Sequence, residues 1–280
     1  MQPDSILPFF ANFIESELGI IYADHNYFQL QNRLEEIAHL LGVKTIEALY
    51  EQAQNGIFGQ FRQLLLDVAT NNETSFFRDP KIFRLMEKMI LPEMKAKLSG
   101  FDTLKIWSAA SSTGQEAITT AITISDWCAK NSATLNFEIK GTDVSERVLA
   151  RAKAAKYSQL EVQRGMPAPY LIKYFTKDDQ DQWTAKPEIT KHLHFSKLNL
   201  KESFSFPEKF DLVLCRNMLI YQSVESKIDI LKRITANLAD DGFLILGSGE
   251  SLLGLSQDYE QVNVDSTVIY RKKNQKQKVA

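Results

Sequence analysis

At 280 residues with 44% hydrophobic side chains, the chain can bury a full core, as one large domain or two modest ones. Its 33 basic and 35 acidic side chains leave a formal charge of −2, which argues against nucleic acid or a membrane surface as the main partner. No apolar run approaches the roughly eighteen residues of a membrane span, and the amino end, MQPDSILPFFANFIESELG, has acids and no basic flank. The chain therefore reads as soluble and cytoplasmic. Cys128 and Cys215 have no accompanying His cluster, so they read as reduced core thiols, and no metal site is expected.

Over residues 6–68 the apolar positions recur at helical spacing: Ile6, Phe10 and Ile14, then Leu30, Leu34 and Ile37, then Phe61, Leu65 and Val68. Residues 1–70 are expected to form a helical domain. With nine acids against three bases it carries a formal charge of −6, so a partner held by charge alone would be basic.

Residues 71–80, NNETSFFRDP, set two polar anchors, two adjacent phenylalanines and an arginine before a proline that interrupts any helix. Adjacent aromatics cannot share one face, so one of Phe76 and Phe77 is assigned to the core and the other to a pocket. The segment taken alone also fits an interdomain turn with Arg78 paired to a surface acid.

Residues 104–116, LKIWSAASSTGQE, read as strand, sharp turn and helix start. The small residues 109–114 let a bulky ligand lie against backbone at the end of a strand, where amides of the next helix can meet polar ligand groups. One glycine is too few for a dinucleotide fingerprint, and the Gly-Lys-Ser/Thr ending of a phosphate loop is missing. Thr113-Gly114-Gln115-Glu116 also fits a capping box, which leaves Glu116 with a structural and a functional reading.

A helix at 116–130 is followed by a strand at 137–143, FEIKGTD, whose terminal acid suits a ribose held by two hydroxyls. A helix at 146–155 follows, and Asp143 could instead cap it. Residues 157–195 break the alternation with Pro167, Pro169 and Pro187 and read as an inserted small subdomain. Strands at 194–200, 210–217, 242–248 and 266–272, with a helix at 223–238, restore it. The expected fold is α/β: a doubly wound, mostly parallel sheet with helices on both faces, behind an all-α amino-terminal domain. The basic tail 271–278 reads as a solvated, frayed end.

Five segments in order, NNETSFFRD, IWSAASSTGQEA, GTDVSERVLARAKAAKY, FDLVLCRNMLIY and GFLILGSGESL, resemble the CheR family. Its members are S-adenosylmethionine-dependent, class I methyltransferase-like enzymes that esterify glutamates of bacterial chemoreceptors. The resemblance implies a catalytic domain over 71–275, S-adenosylmethionine as cofactor, and the cytoplasmic methylation helices of chemoreceptors as partners of a monomeric enzyme. It places cofactor contacts on Asn72, Thr74 and Arg78, on Glu116 for the methionine ammonium, and on Asp143 for the ribose. It continues with Asn199 and the Leu200 backbone for the adenine edge, then Arg216 and Asn217. Asn199 could also cap a turn. Arg78 and Tyr221 match the family's positions beside the transferring methyl group.

The chain departs from the family pattern in three places. Ser-Ser-Thr-Gly-Gln-Glu-Ala-Ile at 111–118 stands where members commonly read Cys-Ser-Thr-Gly-Glu-Glu-Pro-Tyr, leaving Glu116 as the one acid of that stretch for the ammonium. The helical domain is acidic where the family often carries a basic, receptor-facing helix. Loop 176–187, TKDDQDQWTAKP, lacks the glycine with which tether-binding members admit a receptor peptide as an added strand, which implies tether-independent recognition. Two other readings are a methyltransferase for another acceptor and a cofactor-binding regulator without catalysis.

Overall fold

A computed structural model describes residues 5–274. Four helices open it: α1 (Ile6–Leu18), α2 (Tyr27–Leu40), α3 (Ile46–Gln54) and α4 (Gly59–Ala69). Ile6, Phe10, Ile14 and Leu18 recur every four residues, so α1 buries one stripe against Leu30, Leu34 and Leu65 in a core of its own. Gly19 ends α1 in the left-handed region at φ 71°, and a Cβ there would lie 2.3 Å from Gln222 Oε1. Only glycine lets the end of α1 approach the rest of the chain so closely.

Pro80 starts a helix instead of interrupting one. It occupies the first turn of α5 (Pro80–Leu85), where a missing N–H costs nothing. A π turn at Met86–Ile90 leads into α6 (Leu91–Lys97), whose first turn holds Pro92; the lost amide of that residue disturbs the regular ladder just before it.

The sheet then forms in alternation: β1 (Thr103–Ala109), α7 (Gln115–Lys130), β2 (Asn136–Asp143) and α8 (Glu146–Ala154). The inserted segment carries β3 (Lys156–Ser158), α9 (Gln159–Gln163), α10 (Ala168–Tyr174), β4 (Phe175–Lys177), β5 (Gln182–Ala185) and α11 (Pro187–Thr190). Its three short strands make a separate antiparallel sheet in the order β3-β5-β4. After it come β6 (Leu193–Lys197), β7 (Phe210–Cys215), a 3-10 turn at Leu219–Tyr221, α12 (Val224–Asn237), β8 (Leu238–Leu246), β9 (Tyr259–Val264) and β10 (Thr267–Lys272).

Among the described residues the main sheet has seven strands in the order β6-β2-β1-β7-β8-β10-β9, parallel except for the two pairs made by β10. Alternation along β1 sends Leu104 and Ile106 into one core and Trp107 and Ala109 into the other. In β7, Leu212 and Leu214 face the first core while Val213 and Cys215 face the second. Two buried faces are what a parallel sheet requires, with α7 on one and α12 on the other. From β1 the chain winds outward to β2 and β6, then returns to place β7 on the opposite side of β1. The crevice of the sheet therefore opens at the carboxyl ends of β1 and β7.

Three expectations change. Edge strand β9 is an addition, since YEQVNV alternates too weakly in polarity to announce itself. Strand β8 begins at Leu238, four residues before the expected start, with a register irregularity between Phe210 and Leu212 on its partner. Arg271 and Lys272 do not fray: Arg271 makes two 2.6 Å bonds to Glu93, and buried Lys272 donates to the Leu238 carbonyl at 2.7 Å. Lys276 and Lys278 of the same tail lie outside the described residues. Among the described residues no helix is long and apolar enough to cross a membrane.

Candidate active site

The turn after β1 alternates into the left-handed region at Ala110 (φ 61°), Ser112 (φ 49°) and Gly114 (φ 92°), a contortion that larger side chains would resist. Its amides are spent within the protein: Ser111 N donates to Thr142 O at 2.8 Å, Ser112 N to Asp143 Oδ2 at 2.9 Å and Gly114 N to Ser111 O at 3.0 Å. These three amides thus brace the turn instead of facing a ligand. Tyr157, fully buried at the start of the insert, props it from behind through a 2.8 Å bond to the Thr113 carbonyl.

The capping box at 113–116 does not form. Gly114 is the residue that caps α7, and Thr113 Oγ1 turns to Gln115 Oε1 at 2.8 Å. Glu116 is released toward the crevice, where it accepts from Ser108 Oγ at 2.7 Å and Arg216 Nη1 at 3.0 Å. Asp143 is likewise not the cap of α8, because Ser145 supplies that bond to the Val148 amide. Asp143 accepts from Ser145 N on one oxygen and Ser112 N on the other. Burial pushes its carboxyl above the ordinary aspartate value, against the pull of those amides and of the Val144 amide.

Of the adjacent phenylalanines, Phe76 enters the core edge-on to Tyr157 at 5.0 Å. Half-buried Phe77, at φ 47°, stacks on Tyr170. That reversal leaves Arg78 half-buried, with Nη1 donating to the Glu73 carbonyl at 3.0 Å. Asn71 Nδ2 donates to the Tyr221 hydroxyl at 2.8 Å, joining the two segments that hold Arg78 and Tyr221. The Asn72 carbonyl accepts from Ser112 Oγ at 2.9 Å, tying this segment to the β1 turn.

All ten residues singled out in the sequence line one cleft of about 1040 Å³. Asn72, Thr74 and Arg78 come from the first segment; Glu116 and Asp143 follow β1 and β2; Asn199, Leu200, Arg216, Asn217 and Tyr221 complete it. Two of them are less free than their assignment suggests. Asn199 gives Nδ2 to the Glu17 carbonyl at 2.9 Å and accepts the Lys201 amide on Oδ1, so its side chain caps a turn and binds the amino-terminal helices. Arg216, with its side chain 2% exposed, donates to Glu116, to Asp79 and to the Arg78 carbonyl, and so acts on the cleft through them.

Leu18, Ile20 and Thr70 from the helical region also line the cleft, and an isolated bridge between Ile20 and Gln222 closes that wall. Glu250 has no assigned role in the sequence, yet its carboxylate accepts the amides of Asn217 (2.8 Å), Gly247 (2.7 Å) and Ile220 (3.1 Å). An acid after a glycine-rich turn at a strand end, GSGES, is the signal that could have marked it.

The donor set fits S-adenosylmethionine. Glu116 offers a carboxylate for an ammonium, and Asp143 offers one for vicinal hydroxyls. Among the described residues, the buried side-chain atoms without a partner are Ser111 Oγ, Arg216 Nε and Gln222 Oε1, and all three residues line this cleft. Buried polar atoms left so at one place mark where a polar ligand is accommodated.

Strand order, switch point and carboxylate-bearing cleft together define an S-adenosylmethionine-dependent methyltransferase of the class I fold. The family model described as CheR methyltransferase, SAM binding domain, matches residues 72–268. The chain is 36% identical over 266 residues to chemotaxis protein methyltransferase 1 of Pseudomonas aeruginosa, covering 94% of this chain and 96% of that one. To chemotaxis protein methyltransferase 1 of Vibrio cholerae it is 34% identical, covering 94% and 95%. The chain belongs to the CheR methyltransferase family.

Proposed function

We propose that this chain is a protein-glutamate O-methyltransferase that esterifies carboxylates in the cytoplasmic methylation helices of chemotaxis receptors. The observation that carries the reading is the convergence, in one cleft at the sheet's switch point, of two acids suited to the cofactor with Arg78 and Tyr221. We read residues 1–70 as a helical domain, 71–275 as the catalytic domain and 157–195 as its insert, less Leu193 to Phe195, which belong to β6 of the main sheet, in a monomeric cytoplasmic enzyme.

When bound, S-adenosylmethionine supplies an electrophilic methyl group. Glu116 would hold its ammonium and Asp143 its ribose hydroxyls, with Asn72, Thr74, Asn217 and the backbone at Asn199 and Leu200 shaping the remainder. Arg216 keeps Glu116 in place. A glutamate side chain, with a reference pKa of about 4.3, is already ionised at neutral pH, so the acceptor needs no general base. Arg78 can orient that carboxylate through a planar fork while the Tyr221 hydroxyl, fixed by Asn71, defines the approach. Neither acts as acid or base. Tight pairing to Arg78 alone would stabilise the ground state, so positioning is the useful contribution.

The reading extends to tether independence. The β4 to β5 hairpin turns without glycine, and β4 is an edge of the small sheet. Asp178, Asp179 and Asp181 would repel an acidic tether, but Asp178 and Asp181 are paired with Lys156 and Lys177 at 2.7 and 2.6 Å, which weakens that repulsion. The absence of glycine therefore carries this part.

Incubation with labelled S-adenosylmethionine and receptor cytoplasmic fragments should give base-labile label released as methanol. Stable label would indicate a different acceptor atom, and cofactor binding without transfer would indicate a regulator. Titration with receptor carboxyl-terminal pentapeptides should show no micromolar binding; a receptor tail that raises the rate would overturn tether independence.

A further inference from the structure

The cleft continues past Arg78. A second groove of about 1180 Å³ opens beyond it, and the two share Ser75, Arg78 and Phe83. The groove has an apolar shelf, on which Phe77 stacks on Tyr170 at 5.4 Å between ring centres and meets Phe83 edge-on at 5.5 Å. Gly165 lets the insert close over this region, since a Cβ there would lie 2.0 Å from the Phe76 carbonyl.

The charge of the groove is opposite to that of the chain. Arg78, Arg84 and Arg164 line it with one acid, Glu87, whose carboxylate lies 3.7 Å from Lys130 Nζ. Arg164 pairs with Glu73 at 2.6 Å. Arg84 is exposed and makes no ion pair within 4 Å among the described residues, though its charge is felt by Asp265, the partner of Lys88. Lys81, three residues earlier on the same helical face, is also exposed and without an ion pair among the described residues. These cations stand in a chain of net charge −2 whose first seventy residues carry −6.

We propose that this groove docks the acidic, amphipathic segment of the acceptor protein that presents its glutamate to Arg78. The proposal rests on the functional reading above and gives it a docking site. Three observations select the occupant. The groove joins the reaction cleft at Arg78, so a segment lying in it delivers a side chain without leaving the surface. Arg84 in the groove and Lys81 beside it, neither in an ion pair among the described residues, complement carboxylates, whereas the acidic helices on the other wall of the cleft repel them. The groove's aromatic shelf accepts the apolar side of a segment whose other side is charged. The acceptor thus engages the α5 and insert face, and the amino-terminal helices close the cofactor side.

Steady-state methylation of a receptor cytoplasmic fragment tests this with Arg84→Glu, Arg84→Gln and Lys81→Glu/Arg84→Glu. Lys232→Glu serves as control, since Lys232 is exposed in a separate hollow beside Lys209 and Asp240. The expected result for Arg84→Glu is a KM for the fragment raised about tenfold, with a larger rise in the double variant. Turnover at saturation and S-adenosylhomocysteine affinity should stay within about twofold, and the KM difference should shrink in about 0.5 M salt. Arg84→Gln should give an intermediate KM and keeps the test valid where charge reversal impairs folding. An unchanged KM in the double variant, or an equal rise in Lys232→Glu, overturns the docking assignment while wild-type activity stands. A wild-type enzyme that esterifies no fragment overturns the functional reading and this one with it.

Discussion

Arg216 binds Glu116 and Asp79 at once: Nη1 lies 3.0 Å from Glu116 Oε2, and Nη2 lies 2.7 Å from Asp79 Oδ2. The same Nη2 donates to the Arg78 carbonyl at 2.7 Å. One buried cation at the end of β7 therefore fixes both the acid assigned to the cofactor and the turn that presents the arginine assigned to the substrate. Its ring contact with Phe83, at 5.9 Å, seats the guanidinium from a further side.

Removing that cation leaves two carboxylates facing each other's field, and Glu116 is only 13% exposed at its side chain. Arg216→Ala is expected to cost about 3 kcal/mol of stability. Arg216→Lys should recover only part of it, because an ammonium cannot serve three acceptors with a planar fork. Urea unfolding measures both. A loss below about 1 kcal/mol for the alanine variant would mean that the two acids relax into solvent and that Arg216 does not organise the site.

Asp143 gives the cleft a pH dependence. Burial raises its carboxyl above the ordinary aspartate value, and the ionised form is the one that accepts hydroxyl donors. As pH falls through that raised value the acceptor is lost, so S-adenosylhomocysteine should bind more weakly in acid, with the onset above about pH 4. Asp143→Asn should flatten the profile and lower affinity more than tenfold, since one charge-assisted bond is worth about 1.5 to 3 kcal/mol. Calorimetric titration from pH 8 downward reads both effects, and full affinity in the asparagine variant would assign Asp143 to bracing the Ser112 and Ser145 amides alone.

Much of this was legible because strands and cleft residues leave local marks. LKIWSAA and FDLVLC are apolar on both faces, as parallel strands buried on two sides must be, while Glu116 falls in the first turn of the helix after β1 and Asp143 ends β2. What the sequence could not settle was where each polar side chain spends its bonds. TGQE permits a capping box, and only the packing of Ser108 and Arg216 beside Glu116 decides against it. Asn199 fits an adenine edge by motif, yet the nearness of Glu17, 182 residues earlier, draws its amide away. Pro80 looked like a breaker because a proline's effect depends on whether its amide would have been bonded, which position in the helix determines. The basic tail misled for a related reason: Arg271 finds Glu93 across 178 residues, a separation that no local pattern encodes.

That Arg271 to Glu93 pair predicts an acid limb of stability. The Arg271 bond, joined by Lys97, holds the Glu93 carboxyl down to about 2 against an ordinary 4.5. A depressed acid contributes stability above its unfolded value and loses it as pH falls through the folded one, so the contribution fades between about pH 4.5 and 2. Both side chains are partly exposed, at 22% and 25%, so screening limits Arg271→Ala to a loss of about 1 kcal/mol at neutral pH. Melting curves at pH 7 and 3 should differ less for the variant than for the wild type. Equal acid sensitivity in both proteins would remove Glu93 from the account.

Glu250 supplies the sharpest test of how the substrate side is held. Its carboxylate collects three backbone amides, Asn217 and Gly247 on Oε2 and Ile220 on Oε1, and so lashes the turn bearing Tyr221 to the end of β8. Asn217 sits in the left-handed region at φ 55°, a conformation that the amide bond to Glu250 helps to hold. In Glu250→Gln the carboxamide oxygen can keep the Asn217 and Gly247 pair, while its NH2 faces the Ile220 amide and cannot accept from it. The Tyr221 end of the turn should loosen first. The expected result is a fall in turnover of about tenfold, with S-adenosylhomocysteine affinity changed far less. If Glu250 acts through Tyr221, the two losses overlap, and Glu250→Gln/Tyr221→Phe should be scarcely slower than Tyr221→Phe alone. Fully additive losses in that double-mutant cycle would show that Glu250 works on the cleft by a route that does not pass through Tyr221.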